Sequence, residues 1–316
     1  MLISVVVPCF NEESVIDVLD GKLREALAAV DDPDVGYELY YVDDGSGDST
    51  LDRLRALAKE HPADTRYVSF SRNFGKEAAM LAGLRRAHGD AVVIMDADLQ
   101  HPPELIGRML ELYRHGHDQV VARRTRDGDR PWRTLTGRLY YRVVGKMAHV
   151  RLTDGAGDFR LLSRPAVDAL LSLPEYYRFS KGLFSWIGFD TVTFDYHNVA
   201  RGAGSSKWRF ASLVEYGIDG VLSFNNRPLR LGIYFGLALG GLGLAYAAWI
   251  AIAALTVGVR TPGFASLVVA VVGLGGLQIS MLGLIGEYVG RIYVESKRRP
   301  HFLVKESAGP DSEETP

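Results

Sequence analysis

The chain holds a single cysteine, Cys9, in 316 residues. An intrachain disulfide is excluded, a reducing compartment fits, and Cys9 is expected to be a small apolar filler near the end of the first strand. No charge of either sign dominates: 36 Lys and Arg stand against 38 Asp and Glu, a formal charge of −2. General nucleic-acid binding, which needs a basic surface, is not expected. No G-x-x-x-x-G-K-[ST] occurs, so a Walker-type phosphate cradle is absent, and no G-x-G-x-x-G follows the first apolar run, which argues against a dinucleotide-binding turn. No secretory leader is visible, since Met1 opens directly into a strand pattern at Ile3–Pro8.

The longest absence is of charge itself. There is none from Leu231 to Val259 and none from Thr261 to Gly286. Each run exceeds the ~20 residues that span a bilayer's hydrocarbon core. Arg260 and Pro262-Gly263 form a tight connection between them. Two transmembrane helices joined as a hairpin are expected, because paired core helices of a soluble domain usually carry a polar face. Gly236, Gly240, Gly241 and Gly243 in the first pass, and Gly273, Gly275 and Gly276 in the second, suit close helix contact in lipid. Arg227 and Arg230 precede the hairpin, and Arg291, Lys297, Arg298 and Arg299 follow it. The positive-inside rule then places both termini in the cytoplasm of a multi-pass cell-membrane protein.

What is present begins with an alternation of strand and helix patterns. Strands read at Ile3–Pro8, Tyr37–Val42, Arg66–Phe70, Ala91–Met95 and Gln119–Ala122, with helical patterns at about Glu13–Val30, Thr50–Glu60, Lys76–Ala87 and Pro103–Arg114. This is the pattern of βαβ units and a mostly parallel sheet covered on both faces. Ligands of such sheets bind beyond the carboxyl ends of the strands, and there the polar residues cluster. The fourth strand ends in Asp96-Ala97-Asp98. Two carboxylates at one strand end repel each other unless something positive intervenes, and a hard divalent cation carrying a diphosphate would serve. The competing reading is an Asp-rich turn capping the helix that starts near Pro102-Pro103. The second strand runs into Asp43-Asp44, where Asp44 can accept hydrogen bonds from a base or ribose, and Phe10 after the first strand offers a stacking face.

These segments resemble a known family. Val5-Val6-Val7-Pro8 with Asn11-Glu12-Glu13, Val42-Asp43-Asp44-Gly45-Ser46, Ser71-Arg72-Asn73-Phe74-Gly75-Lys76 and Asp96-Ala97-Asp98-Leu99-Gln100 are similar to the motifs of family 2 inverting glycosyltransferases. Gly157-Asp158-Phe159-Arg160-Leu161 and Arg201 with Gly204-Ser205-Ser206-Lys207-Trp208 narrow the likeness to polyprenyl-phosphate glycosyltransferases, the bactoprenol glucosyltransferases and dolichol-phosphate mannose synthases. The resemblance covers about residues 1–305. It implies a GT-A-like (Rossmann-like) α/β catalytic domain over 1–208, an amphipathic juxtamembrane segment over 209–228, two transmembrane helices within 229–290 (about 231–259 and 261–286) and a cytoplasmic tail over 291–316. The acidic end of that tail, Glu306 to Pro316, reads as disordered.

The implied reaction moves one sugar from a nucleotide diphosphate sugar to a polyprenyl phosphate in the lipid bilayer. By similarity, Pro8, Phe10, Glu12 and Asp44 line the nucleoside pocket, and Asp96, Ala97 and Asp98 face the donor. Asp98 ligates Mg²⁺ or Mn²⁺, with Gln100 as a further oxygen ligand. Ser205 stands where the family often has Glu. Glucose from UDP-glucose leads as the donor, mannose from GDP-mannose is the alternative, and a homo-oligomer is open.

The chemistry can also be argued independently. A phosphate monoester acceptor has a second pKa of about 6 and is largely a dianion at pH 7, so it needs charge neutralisation and alignment more than a base. Lys207, Arg201 and one of Arg123 and Arg124 can supply this. Asp158 is either a base or a sugar-orienting carboxylate; otherwise Asp158 and Arg160 are a pair that shapes the loop. Two amphipathic stretches, about Phe210–Phe224 and Trp132–Val150, suit either the membrane surface or ordinary packing. His61, His88, His101 and His149 show no metal-ligand spacing and read as surface residues. A processive polysaccharide synthase would need more passes and a Q-x-x-R-W motif. A non-enzymatic, membrane-anchored nucleotide-binding subunit would not require Asp98, Gln100, Arg201 and Lys207 together.

Overall fold

A computed structural model describes residues 1–30, 32–125, 156–196 and 263–309, with separate helical positions between 232 and 256. Arg201, Lys207 and the stretches Trp132–Val150 and Phe210–Phe224 lie outside the described residues, as does the side chain of Arg124. The chain divides into two compact units, one formed from 1–220 with 300–316 and the other from 221–299.

The first unit is an α/β sheet domain. Strands β1 (Leu2–Cys9), β2 (Gly36–Asp43), β3 (Thr65–Phe70), β4 (Ala91–Ile94) and β5 (Gln119–Arg124) alternate with helices α1 (Ile16–Ala28), α2 (Thr50–Glu60), α3 (Lys76–Arg86) and α4 (Leu105–Arg114). Then follow β6 (Ala156–Ser163), α5 (Arg164–Leu171), α6 (Ser180–Trp186), β7 (Thr191–Tyr196) and, after the second unit, β8 (Val304–Ala308). The sheet order is β7-β5-β6-β4-β1-β2-β3-β8. The central strands are apolar runs because helices cover both faces: Ile3, Val5, Val6, Val7, Val92, Val93 and Ile94 are all buried. Cys9 fills a buried position at the end of β1, as its sequence suggested.

The sheet is mixed. Four strand pairings are parallel (β1 with β2 and β4, β2 with β3, β5 with β7) and three antiparallel (β4 with β6, β5 with β6, β3 with β8). This qualifies the mostly parallel expectation, because β6 inserts against the direction of both its neighbours. It also brings the Gly157–Leu161 motif beside the end of β4. The tail reading needs a correction: Glu306, Ser307 and Ala308 are not disordered but belong to β8, paired with Ser69, Val68 and Tyr67. Arg55 grips the Glu306 carboxylate with two nitrogens, at 2.8 and 2.6 Å, and Tyr67 donates its hydroxyl to it at 3.1 Å. Phe302 stacks on Phe70 at 4.8 Å.

Local chemistry sets the loops at the strand ends. Gly83 lets α3 sit directly on Val6 and Val42, where any Cβ would collide with their side chains, and this seats the start of α3 at the carboxyl end of the sheet. Ser163 caps α5, accepting from the Ala166 amide at 3.3 Å, with Pro165 in the first turn.

In the second unit, the helix α7 runs from Phe264 to Ser296, 33 residues or about 50 Å at 1.5 Å per residue. Leu267, Val271, Ile279 and Leu282 stand exposed on it. Among the described residues no helix is long and apolar enough to cross a membrane. Both charge-free stretches of the sequence include residues outside that set. A side chain at Gly236, Gly241, Gly243, Gly273, Gly275 or Gly276 would meet open space among the described residues, whereas one at Gly232 would press on Met281.

Candidate active site

The loops after β1 and β2 are knitted together. Asn11, with φ 56°, donates its amide to Ser46 at 2.9 Å and accepts from the Gly47 amide at 2.9 Å. The Glu12 amide binds Thr50 at 2.8 Å. Gly45, with φ +67°, lies against the backbone of Arg72, where a side chain has no room. Phe10 is left 38% exposed beside this junction, with its ring available for stacking.

Asp43, the last residue of β2, and Asp44 after it are both buried. Asp43 accepts from Ser69 Oγ at 2.6 Å and the Ser46 amide at 3.0 Å. Asp44 accepts from the amides of Phe74 at 2.6 Å and Gly75 at 2.9 Å, so it fixes the loop leading into α3. Burial pushes its carboxyl up to about 6 against the pull of those amides. Each carboxylate oxygen has two lone pairs, so these contacts leave acceptor capacity.

At the end of β4, Asp98 accepts from the Gln100 amide at 3.1 Å, and Leu99 adopts a positive φ of 58°. Helix α4 starts at Leu105 after Glu104, without a side-chain cap. Asp98 therefore closes a turn and does not cap the helix. Asp98 and Gln100 are half-buried, and Ala97 beneath them is buried. Among the described residues no group of three or more His, Cys, Asp or Glu could hold a metal ion. The donor set is hard oxygen, as Mg²⁺ and Mn²⁺ require, but too small for an all-protein cage. It fits a cation that arrives with phosphate oxygens of its own.

The densest electrostatics lie one step away. Ile94 pairs with Arg160 across β4 and β6, and continuing that antiparallel register by two residues sets Asp96 opposite Asp158. Lys76, the first residue of α3, bridges them: its Nζ is 2.5 Å from Asp96 Oδ1 and 2.6 Å from Asp158 Oδ2. Burial disfavours every charge here, yet the contacts outweigh it. Asp158 and Asp96 hold Lys76 above its ordinary range, Lys76 and then His101 hold Asp96 well below its own, and Lys76 and then Lys181 do the same for Asp158. Arg160 does not pair with Asp158 by hydrogen bond. Its Nη2 donates to the Gly157 carbonyl at 2.7 Å, its guanidinium lies 3.6 Å from the Phe184 ring centroid, and burial lowers its pKa to about 10.

His101 is not the surface residue its spacing suggested. Its ring packs on Phe159 at 5.0 Å, its Nδ1 pairs with Tyr196 Oη at 2.8 Å, and its Nε2 lies 3.6 Å from Asp96. Lys76 and His101 both escaped the sequence reading as site residues. The available signal was position: one opens the helix after β3, and the other closes the loop after Asp98. Of the two arginines ending β5, Arg123 is engaged by Asp195, at 2.5 and 2.9 Å.

Glu77, next to Lys76, accepts from the Ser180 amide at 3.2 Å and from its hydroxyl, tying α3 to the start of α6. Burial pushes its carboxyl up to about 7, with the Ser180 contacts opposing and Asp158 adding. A carboxyl raised on folding contributes stability that is complete below about 4.5 and lost as pH rises through about 7. Wild type should therefore lose stability between pH 5 and 8 that Glu77→Gln retains, by roughly 1–3 kcal/mol. Melting curves of both proteins at the two pH values check this. A difference that stays constant with pH would contradict it.

Residues 4–171 match the glycosyl transferase family 2 model, and residues 227–292 match the GtrB C-terminal hairpin. The chain belongs to glycosyl transferase family 2. It is 47% identical over 312 residues to CsbB of Bacillus subtilis (strain 168), a glycosyltransferase by name, covering 99% of this chain and 94% of that one. It is 40% identical over 306 residues to the bactoprenol glucosyl transferase of Shigella phage SfV, covering 96% and 98%. The prophage bactoprenol glucosyl transferase homolog of Escherichia coli (strain K12) is 37% identical over 306 residues, covering 96% and 99%.

Proposed function

We propose that this enzyme transfers a single glucose, with inversion, from UDP-glucose to a membrane polyprenyl phosphate. The observation that carries the reading is the juxtaposition of Asp96 and Asp158 beside the Asp98 turn that follows β4, in a chain whose full-length relatives include a bactoprenol glucosyl transferase. Phe10, Pro8, Glu12 and Asp44 line the nucleoside pocket. Asp98 and Gln100 hold Mg²⁺ or Mn²⁺, which when bound stabilises the departing diphosphate as a Lewis acid. Asp158, kept ionised by Lys76 against its burial, is a poor base and orients the sugar. The acceptor dianion needs no strong base. Arg201, Lys207 and Arg124 receive the acceptor phosphate; Arg123 is occupied by Asp195.

The hairpin crosses the bilayer twice. The charge-free runs and the apolar residues exposed along α7 support this, since such a surface is stable in lipid and not in water. Chain connectivity adds an argument independent of flanking charge. The segments before and after the hairpin belong to one sheet domain, with β8 paired to β3, so the number of crossings is even.

The test is radiolabelled sugar transfer by membranes supplied with undecaprenyl phosphate and a panel of labelled donors. Label from UDP-glucose should move into the lipid fraction. Transfer from GDP-mannose alone would replace the donor, and no lipid product from any donor would sink the reading.

A further inference from the structure

We propose that Lys76 is the positioning residue of the donor-sugar subsite, its ammonium holding Asp96 and Asp158 together in the orientation in which they meet the sugar hydroxyls. The inference rests on the nucleotide-sugar reading of the site.

The geometry is that of a shared counterion. Asp96, just past the end of β4, and Asp158, on β6, both reach one ammonium, so their carboxylates lie close together, where like charges repel. One ammonium within 2.6 Å of both removes that repulsion and fixes both side chains. The other basic side chains near the pair are placed differently. Arg160 is turned onto Gly157 and Phe184. His101 reaches only the far oxygen of Asp96, at 3.6 Å, and is held there by Tyr196. Lys181 acts on Asp158 through space. Glu77, the neighbouring acid, is spent on Ser180.

Accessibility points the same way. The Lys76 side chain is 42% exposed, while Asp158 beneath it is 14% exposed. The side chain is thus reached from the strand-end crevice, and its ammonium lies among the carboxylates. An ammonium has three donors. Two go to Asp96 and Asp158, and the third is directed to an oxygen of the incoming donor. A sugar entering there meets one donor and two acceptors in a fixed array, which suits vicinal hydroxyls. Asp44 holds the backbone just before Lys76, through the Phe74 and Gly75 amides, and not its side chain, so exchanging that side chain should leave nucleoside affinity largely unchanged.

The experiment uses the full chain in detergent or vesicles, with UDP-glucose as donor and UDP as the sugar-free probe. Lys76→Met should lower kcat by about 100-fold, while the Kd for UDP stays within about threefold of wild type. The gain in affinity of UDP-glucose over UDP should disappear. Lys76→Arg, which keeps the charge, should recover at least about tenfold of the loss. Lys76→Met in an Asp158→Asn background should cost little more than either change alone, because the two act as one unit.

A kcat within about fivefold of wild type for Lys76→Met would overturn the assignment, as would additive losses in the double variant. Joint loss of UDP binding in a protein that still melts cooperatively would also overturn it, moving Lys76 to the diphosphate. If Lys76→Met does not fold, Lys76→Arg and Asp158→Asn decide: unchanged kcat in both refutes the proposal, and lowered kcat with unchanged UDP affinity in both supports it. Failure of the functional reading looks different, since wild type would then bind UDP-glucose no better than UDP and transfer nothing.

Discussion

Asp98→Ala should abolish glucosyl transfer, to below about a thousandth of the wild-type rate. The same loss should follow in wild type when excess EDTA is added. The two failures would have one cause, because the proposed protein ligands are only the Asp98 carboxylate and the Gln100 amide oxygen, and removing the carboxylate removes the charged one. The fold should survive, since Asp98 is half-buried at a loop and its contact to the Gln100 amide is local. Such a bond contributes about 1 kcal/mol. Asp98→Asn separates these roles: its side-chain oxygen still accepts from Gln100, so the melting temperature is kept, while the charge is gone and transfer is lost. Substantial turnover in excess EDTA would remove the metal from the mechanism.

The second large effect belongs to the acceptor side. Lys207→Ala should lower turnover by roughly 30- to 1,000-fold, the ~2–4 kcal/mol of a charge-assisted contact to an anion in a water-poor site. Lys207 follows Gly202-Ala203-Gly204-Ser205-Ser206, a run of small residues suited to closing over a phosphate. In the proposed site the nucleoside lies at Phe10 and Asp44, so UDP affinity should change only modestly. Titrating UDP while measuring transfer separates the outcomes. Near-wild-type turnover would take Lys207 out of the site, and complete loss of UDP binding would make it a ligand of the donor diphosphate.

The legible half of the fold is the half with local signals. β1 to β5 are apolar runs with polar residues at their ends, α1, α2 and α4 show amphipathic periodicity, and α3 is an Ala- and Leu-rich run of helix formers, so each could be read from its own residues. β6 was seen only as the motif Gly157–Leu161, because nothing in five residues says that they run antiparallel to β4. β8 was misread outright. Val304-Lys305-Glu306-Ser307-Ala308 carries almost no apolar signal, and its stability comes from β3, Arg55 and Tyr67, all far away in sequence. The site shows the same division. The oxygen-donor turn at Asp98 is contiguous and was visible. The Lys76 bridge joins the starts of α3 and β6 with the end of β4, and no spacing rule links those three positions. His101 was set aside for lacking a ligand pattern, although its place is given by Phe159 and Tyr196, again non-local partners.

The return of the chain to β3 also orders events during synthesis. β1 to β7 leave the ribosome before the hairpin, but β8 follows it. Until Val304–Ala308 is made, β3 is an open edge, with unpaired backbone groups and Phe70 lacking its Phe302 cover. An open edge is the usual starting point for pairing with another chain. The β3 edge is therefore covered only in a polypeptide whose entire hairpin has already been translated.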